Sequence, residues 1–328
     1  MERGDQIGRA AGYAAAAALV PYLVIKVSWV VGSSLGLLPV GRGFSLGGWL
    51  ALNTVTIGMA AAGITLGLAL VRPWGMRIPG RLVGFTGWVG SGFLVSILPF
   101  VVISALVNSG AHEESSGGSA SSGGDGAMPG WEAVLLQYSF VGTGIALAIA
   151  LPAYLRRRWP HALRGPERPP TSPGPLWPAI TGAVTGLVWL YWAAGGPLGI
   201  AHRDERPADW HVLVGVSACW ALAASAAVPA LVRRRPTRQP YPLLLALAWL
   251  GSGSMFAWSG WRLPATVYVA LARPSDVSYP ENVALAVTLH LMAVLTGAGI
   301  MRTLVRDRSG LSVPDAAEEP AERVGRRP

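Results

Sequence analysis

Eight times along this chain an apolar stretch recurs that is long enough to cross a lipid bilayer, and that recurrence leaves it few other folds. The stretches cover about residues 12–38, 47–71, 82–106, 133–155, 177–201, 211–232, 242–262 and 283–305. A helix rises 1.5 Å per residue, so about 20 apolar residues span a hydrocarbon core of roughly 30 Å. Inside hydrocarbon, backbone N–H and C=O groups must bond within their own segment or close a barrel, so long apolar stretches read as helices. The expected fold is an all-α, polytopic transmembrane bundle of eight spans.

The distribution of charge agrees. Only 13% of the residues are charged, against about 25% in ordinary globular domains. A formal net charge of +9 would suit a nucleic-acid surface if the arginines formed a patch. They stand instead in short blocks at the ends of apolar stretches: Arg72, Arg77 and Arg81; Arg156 to Arg158; Arg233 to Arg235; Arg302 and Arg306. The opposite ends hold only Arg42, Arg203, Arg206, Arg262 and Arg273. Such asymmetry places the basic side in the cytoplasm. The expectation is a multi-pass protein of the plasma membrane with both termini inside and the Gly/Ser-rich segment 107–132 outside. Its partner is then the lipid bilayer, with no nucleic acid and no cofactor. A basic start before an apolar run also suits a signal peptide, but the first stretch is too long, and part of it reappears in mid-chain. The single cysteine, Cys219, allows no disulfide within the chain. Arginine outnumbers lysine 25 to 1, beside abundant Ala, Gly and Pro. In this general character the chain resembles uncharacterised polytopic membrane proteins of GC-rich actinobacteria; no motif carries a functional residue across.

The reappearing segment points to duplication. Trp29-Val30-Val31-Gly32-Ser33-Ser34-Leu35-Gly36-Leu37 is answered by Trp192-Ala193-Ala194-Gly195-Gly196-Pro197-Leu198-Gly199-Ile200. Trp88-Val89-Gly90-Ser91-Gly92 is answered by Trp249-Leu250-Gly251-Ser252-Gly253, Leu70-Val71-Arg72 by Leu231-Val232-Arg233, and Trp49 by Trp210. The offset is 163 for the first pair and 161 for the others. The expected organisation is a four-span repeat over 1–158, a cytoplasmic Pro/Arg-rich linker over 159–176, a second repeat over 177–306 and a disordered cytoplasmic tail over 307–328. On a continuous helix Trp29, Gly32 and Gly36 share one face, and the small residues let helices approach closely. The same packing role is expected for Trp192, Gly195, Gly199 and both Gly-Ser-Gly clusters.

Chemistry is sparsely marked. No span interior holds Asp or Glu, so no carboxylate proton relay is visible, and no Gly-rich phosphate loop with Lys is present. His202, Asp204, Asp209 and His211 have metal-ligand chemistry, but Arg203 and Arg206 are interleaved. An intramembrane hydrolase would use Ser252 or Ser254 with His290 as base. Asn53, Gln137 and His290 each lie about five to seven residues from the outer end of a span, roughly 8–10 Å deep, and are candidates for a polar vestibule. Lys26, the only lysine, falls near the middle of the first span, where a cation requires a partner or a cavity. Lys26, Asn53, Gln137 and His290 are therefore the candidate ligand-binding residues. Two function classes follow: a small-molecule transporter or permease with its site between the repeats, or a non-catalytic membrane partner or sensor subunit. A cavity between the halves would favour the first and a sealed seam the second, with an intramembrane enzyme third.

Overall fold

The computed structural model describes residues 2–41, 44–108, 130–159, 174–233, 239–273 and 279–309. These form eight α-helices: α1 (Glu2–Ser34), α2 (Leu46–Ala69), α3 (Gly80–Asn108), α4 (Gly130–Arg158), α5 (Trp177–Ala193), α6 (Ala208–Arg233), α7 (Tyr241–Ala272) and α8 (Val283–Ser309). Short 3-10 turns lie at Pro73–Met76 and Arg203–Glu205. Seven helices, all but α5, are long and apolar enough to cross a membrane. The protein is thus an all-helical, multi-pass membrane protein. Most of 107–132, of the 159–176 linker and of the tail lies outside the described residues.

α5 has 17 residues, and the reason lies in the Trp-Gly motif at its end. Ala193 is its last helical residue, and Gly195 follows with φ +91°. The Gly196 N–H bonds the Tyr191 carbonyl and the Gly195 N–H bonds the Trp192 carbonyl, both at 2.9 Å. This is a Schellman ending, in which a left-handed glycine lets the chain turn back on the last carbonyls. α1 ends the same way one turn later in the motif. Gly36 has φ +70°, with Leu37 N–H on Gly32 O (2.8 Å) and Gly36 N–H on Ser33 O (3.2 Å). Gly36, Gly195 and Gly199 (φ +79°) therefore lie beyond the helix ends and reverse the chain, so the expected helix-face role does not hold for them. A Cβ on Gly32 would meet Leu38, which has folded back over it, rather than another helix. Gly195→Ala should accordingly cost about 1–2 kcal/mol through the left-handed backbone alone, read as a lower melting temperature, although open space surrounds the site.

At its other limit the expected seventh span stops short. α7 continues ten residues past Arg262, through Pro264, to Ala272. Just past the proline, Thr266 Oγ1 turns back onto the Arg262 and Leu263 carbonyls of its own helix at 3.1 and 2.9 Å. Arg262 consequently sits within a helix rather than at its end.

α1 packs along α2 and α4, and α5 along α6 and α8; α7 packs along α8 and α6. α3 departs from this pattern. It lies against α7 and α6 more extensively than against its chain neighbours α2 and α4. Four buried cores result among the described residues, one of them formed by Ile25, Trp29, Trp49 and Leu136. Another joins α1–α4 through Ala15, Leu70, Leu94, Ala150 and Tyr154; two lie within α5–α8, around Trp192, Ala218 and Ala293 and around Ala224, Val228 and Ile300.

Candidate functional site

A carrier built from two repeats needs its site where the halves meet, and here they meet at the two Gly-Ser-Gly clusters. A Cβ on Gly92 would collide with the Gly253 carbonyl, and one on Gly253 would stand 2.7 Å from Trp88 O. Around this backbone contact the polar groups are spent on one another. Trp88 Nε1–H donates to Ser252 Oγ at 3.0 Å, and Ser252 Oγ donates to Trp249 O at 3.0 Å. The Ser96 and Ser254 hydroxyls lie 2.8 Å apart, and Trp220 Nε1–H donates to Val95 O at 2.7 Å. Ser96, Ser252 and Ser254 are all buried. Ser91, the counterpart of Ser252, turns back onto Trp88 O at 3.1 Å instead. Trp249, the counterpart of Trp88, keeps its indole N–H buried without a partner.

A polar cavity does exist, but inside the second half. Its walls include Trp189, Trp192, Ser217, Trp258, Arg262, Glu281 and His290, and its volume of about 20 Å³ holds about one water. Glu281 is 3% exposed. Its carboxylate accepts Trp210 Nε1–H at 3.1 Å and pairs with the Arg262 guanidinium at 3.5 Å. Burial raises the nearby Tyr279 phenol above its ordinary pKa, with Arg262 lowering it and Glu281 raising it. It therefore stays neutral at pH 7 and adds no charge to the pair. Over this cavity two loops are tied together. Ala201 and His202 N–H bond Pro280 O at 2.8 and 3.0 Å, and Asn282 N–H bonds Gly199 O at 2.8 Å. Ile200 and Glu281 thus form an isolated antiparallel bridge.

The four candidate ligand-binding residues do not assemble into one ring. His290 lines the second-half cavity, with Nδ1 3.2 Å from Ser259 Oγ. Asn53 is 1% exposed and donates to Trp49 O at 2.9 Å within its own helix. Gln137 is exposed on the outer face of α4, beside Tyr138 at 72%. Equal depth along a helix axis says nothing of the direction a side chain faces, and here the directions diverge. Lys26 does turn inward, at 8% exposure. Its ammonium stands 3.9 Å from the Trp29 ring centroid and 5.8 Å from that of Tyr22, a cation–π arrangement that suits a cation withdrawn from water. Trp29 in turn stacks on Trp49, with centroids 5.6 Å apart, as Trp192 meets Trp210 at 6.5 Å.

The serine-hydrolase arrangement is not formed. Ser252 and Ser254 are engaged in the seam, and His290 pairs with Ser259, which is fully buried and does not line the cavity. Of the metal-ligand candidates, His202 and Asp204 are exposed, while His211 Nδ1 lies 3.1 Å from Ala193 O at the end of α5. Among the described residues no three of His, Cys, Asp and Glu are grouped to hold a metal ion. Arg262 and Glu281, which line the second-half cavity, are not among the sequence candidates, since apolar length alone puts Arg262 at a span end and Glu281 in the loop before the last span. No family model, curated protein or solved structure matches the chain.

Proposed function

We propose that this chain is a non-catalytic membrane subunit of the partner or sensor kind, built as eight spans in two parallel four-span repeats. The observation that carries the reading is the seam. Gly92 and Gly253 bring α3 and α7 into backbone contact, and the serines and Trp88 beside them bond across it. A carrier of alternating access must part its halves around a hydrated site, and a seam whose polar groups are paired resists that. The repeat reading draws support from neighbours of the same kind: α1 lies on α2 and α4 as α5 lies on α6 and α8, with a Trp–Trp contact at matching places, stacked in the first half and tilted in the second. In it α5 counts as a span despite its 17 residues, and the arginine-rich ends face the cytoplasm of the cell.

The test is cysteine accessibility in a Cys219→Ala background. Ser96→Cys and Ser254→Cys should resist a small, water-soluble thiol reagent under all conditions, while a cysteine at exposed Asp204 reacts. Modification of the seam cysteines, from either side of the membrane, would restore the permease reading. The Arg262–Glu281 cavity would then be the place to seek a small polar substrate.

A further inference from the structure

The turn between α2 and α3 and the first turn of α3 together hold three arginines, Arg72, Arg77 and Arg81, all exposed. Among the described residues no carboxylate pairs with any of these three. Their neighbours on α4 behave differently. Arg157 donates to Leu70 O at 2.6 Å, and Arg158 donates to Gly75 O at 3.0 Å and to Ile78 O at 2.7 Å. Tyr154 Oη–H adds a bond to Gly75 O at 3.2 Å, and Arg158 also holds Tyr154 Oη at 2.6 Å. Gly75 is packed so closely on the Ala69 carbonyl that a Cβ would collide with it. The α4 arginines thus fix the turn, and the turn's own arginines are left facing outward.

Between them the turn presents an apolar pair. Trp74 is 39% exposed and Met76 47%. Arg72 is steadied over the Tyr13 ring, its guanidinium 5.5 Å from the centroid. A fixed loop loses little further freedom on binding. Guanidinium groups match phosphate oxygens bidentately, and Trp favours the depth of lipid headgroups.

We propose that this turn is a binding site for an anionic phospholipid: Arg72, Arg77 and Arg81 take the headgroup phosphate, and Trp74 and Met76 rest at the boundary with its acyl chains. The inference rests on the membrane fold and stands whether the seam is sealed or opens. Arginines at a span end also serve topology alone, and the experiment separates the two.

The purified full chain, in a neutral detergent, is titrated with phosphatidylglycerol or phosphatidylcholine and followed by native mass spectrometry and thermal melting. The parent should retain and be stabilised by phosphatidylglycerol in preference to phosphatidylcholine. Arg72→Gln/Arg77→Gln/Arg81→Gln should weaken phosphatidylglycerol binding at least about tenfold. Arg156→Gln/Arg302→Gln/Arg306→Gln, which removes equal charge from other exposed arginines, should change it less than about threefold. The double variant Arg77→Gln/Arg81→Gln leaves the Arg72–Tyr13 contact intact and should show most of the loss if the triple variant does not fold. Equal losses in both triple variants would reduce the effect to bulk charge and overturn the site. Stabilisation by inorganic phosphate as large as that by the lipid would overturn the lipid assignment, and unchanged binding in the site variants would overturn the proposal altogether.

Discussion

Gly92→Leu should lower the melting temperature in detergent by on the order of 10 °C, a loss of about 3 kcal/mol or more, at or above the upper end for overpacking. The new side chain would enter space held by the Gly253 carbonyl and the Ser254 N–H. Flexible side chains yield to such intrusion, whereas helix backbones must separate. Separation would also break the Trp88–Ser252 and Ser96–Ser254 bonds, leaving buried polar groups in an apolar surround. The same motif supplies its own control. A Cβ on Gly90 meets nothing within 4 Å, whereas one on its counterpart Gly251 would meet the Trp220 carbonyl and Ala224. Gly90→Leu should therefore melt close to the parent and Gly251→Leu well below it. Equal melting of these two would show that the space around each glycine does not set tolerance in this bundle.

Glu281→Ala should be nearly as costly, at about 3 kcal/mol, the low end for breaking a buried ion pair by removing one partner. The low end applies because the Arg262 side chain keeps 19% of its surface exposed, while that of Glu281 keeps 4%. Two donors lose their acceptor at once, Arg262 and the Trp210 indole. The loss should be partly relieved in Glu281→Ala/Arg262→Met, which removes the stranded cation as well. Hydrogen exchange offers a local readout, since the Ala201, His202 and Asn282 amides should exchange faster once the carboxylate beneath them is gone. A double variant no more stable than the single one would show that the pair contributes through something other than its charge.

The helices were legible because hydrocarbon allows so little choice, and all eight fall where apolar stretches run. Their ends were less legible. Gly195 ends α5 by conformation, which a count of apolar residues does not register. Arg262 and Pro264 look like a stop but lie inside α7, which runs on past the proline to Ala272. The site was hardest to read. Depth can be counted along a sequence, and that places Asn53, Gln137 and His290 at one level. The direction of each depends on which helices are neighbours, and α3 takes its neighbours largely from the other half. Glu281 escaped notice for a related reason: it is buried by a loop pairing with 199–202, which no local pattern announces.

That allegiance of α3 bears on how the chain is made. When a ribosome has delivered α1 to α4, the Trp88 indole and the small face at Gly92 and Ser96 have no acceptor and no groove, since both belong to α7, about 160 residues later. Until then the newly inserted first half presents an unfinished, adhesive helix to the bilayer. It is a natural target for an insertase that shields polar residues, or for a membrane protease that removes orphans. Maturation of the first half is thus tied to completion of the second, and a chain cut short after α4 would carry its own mark for disposal.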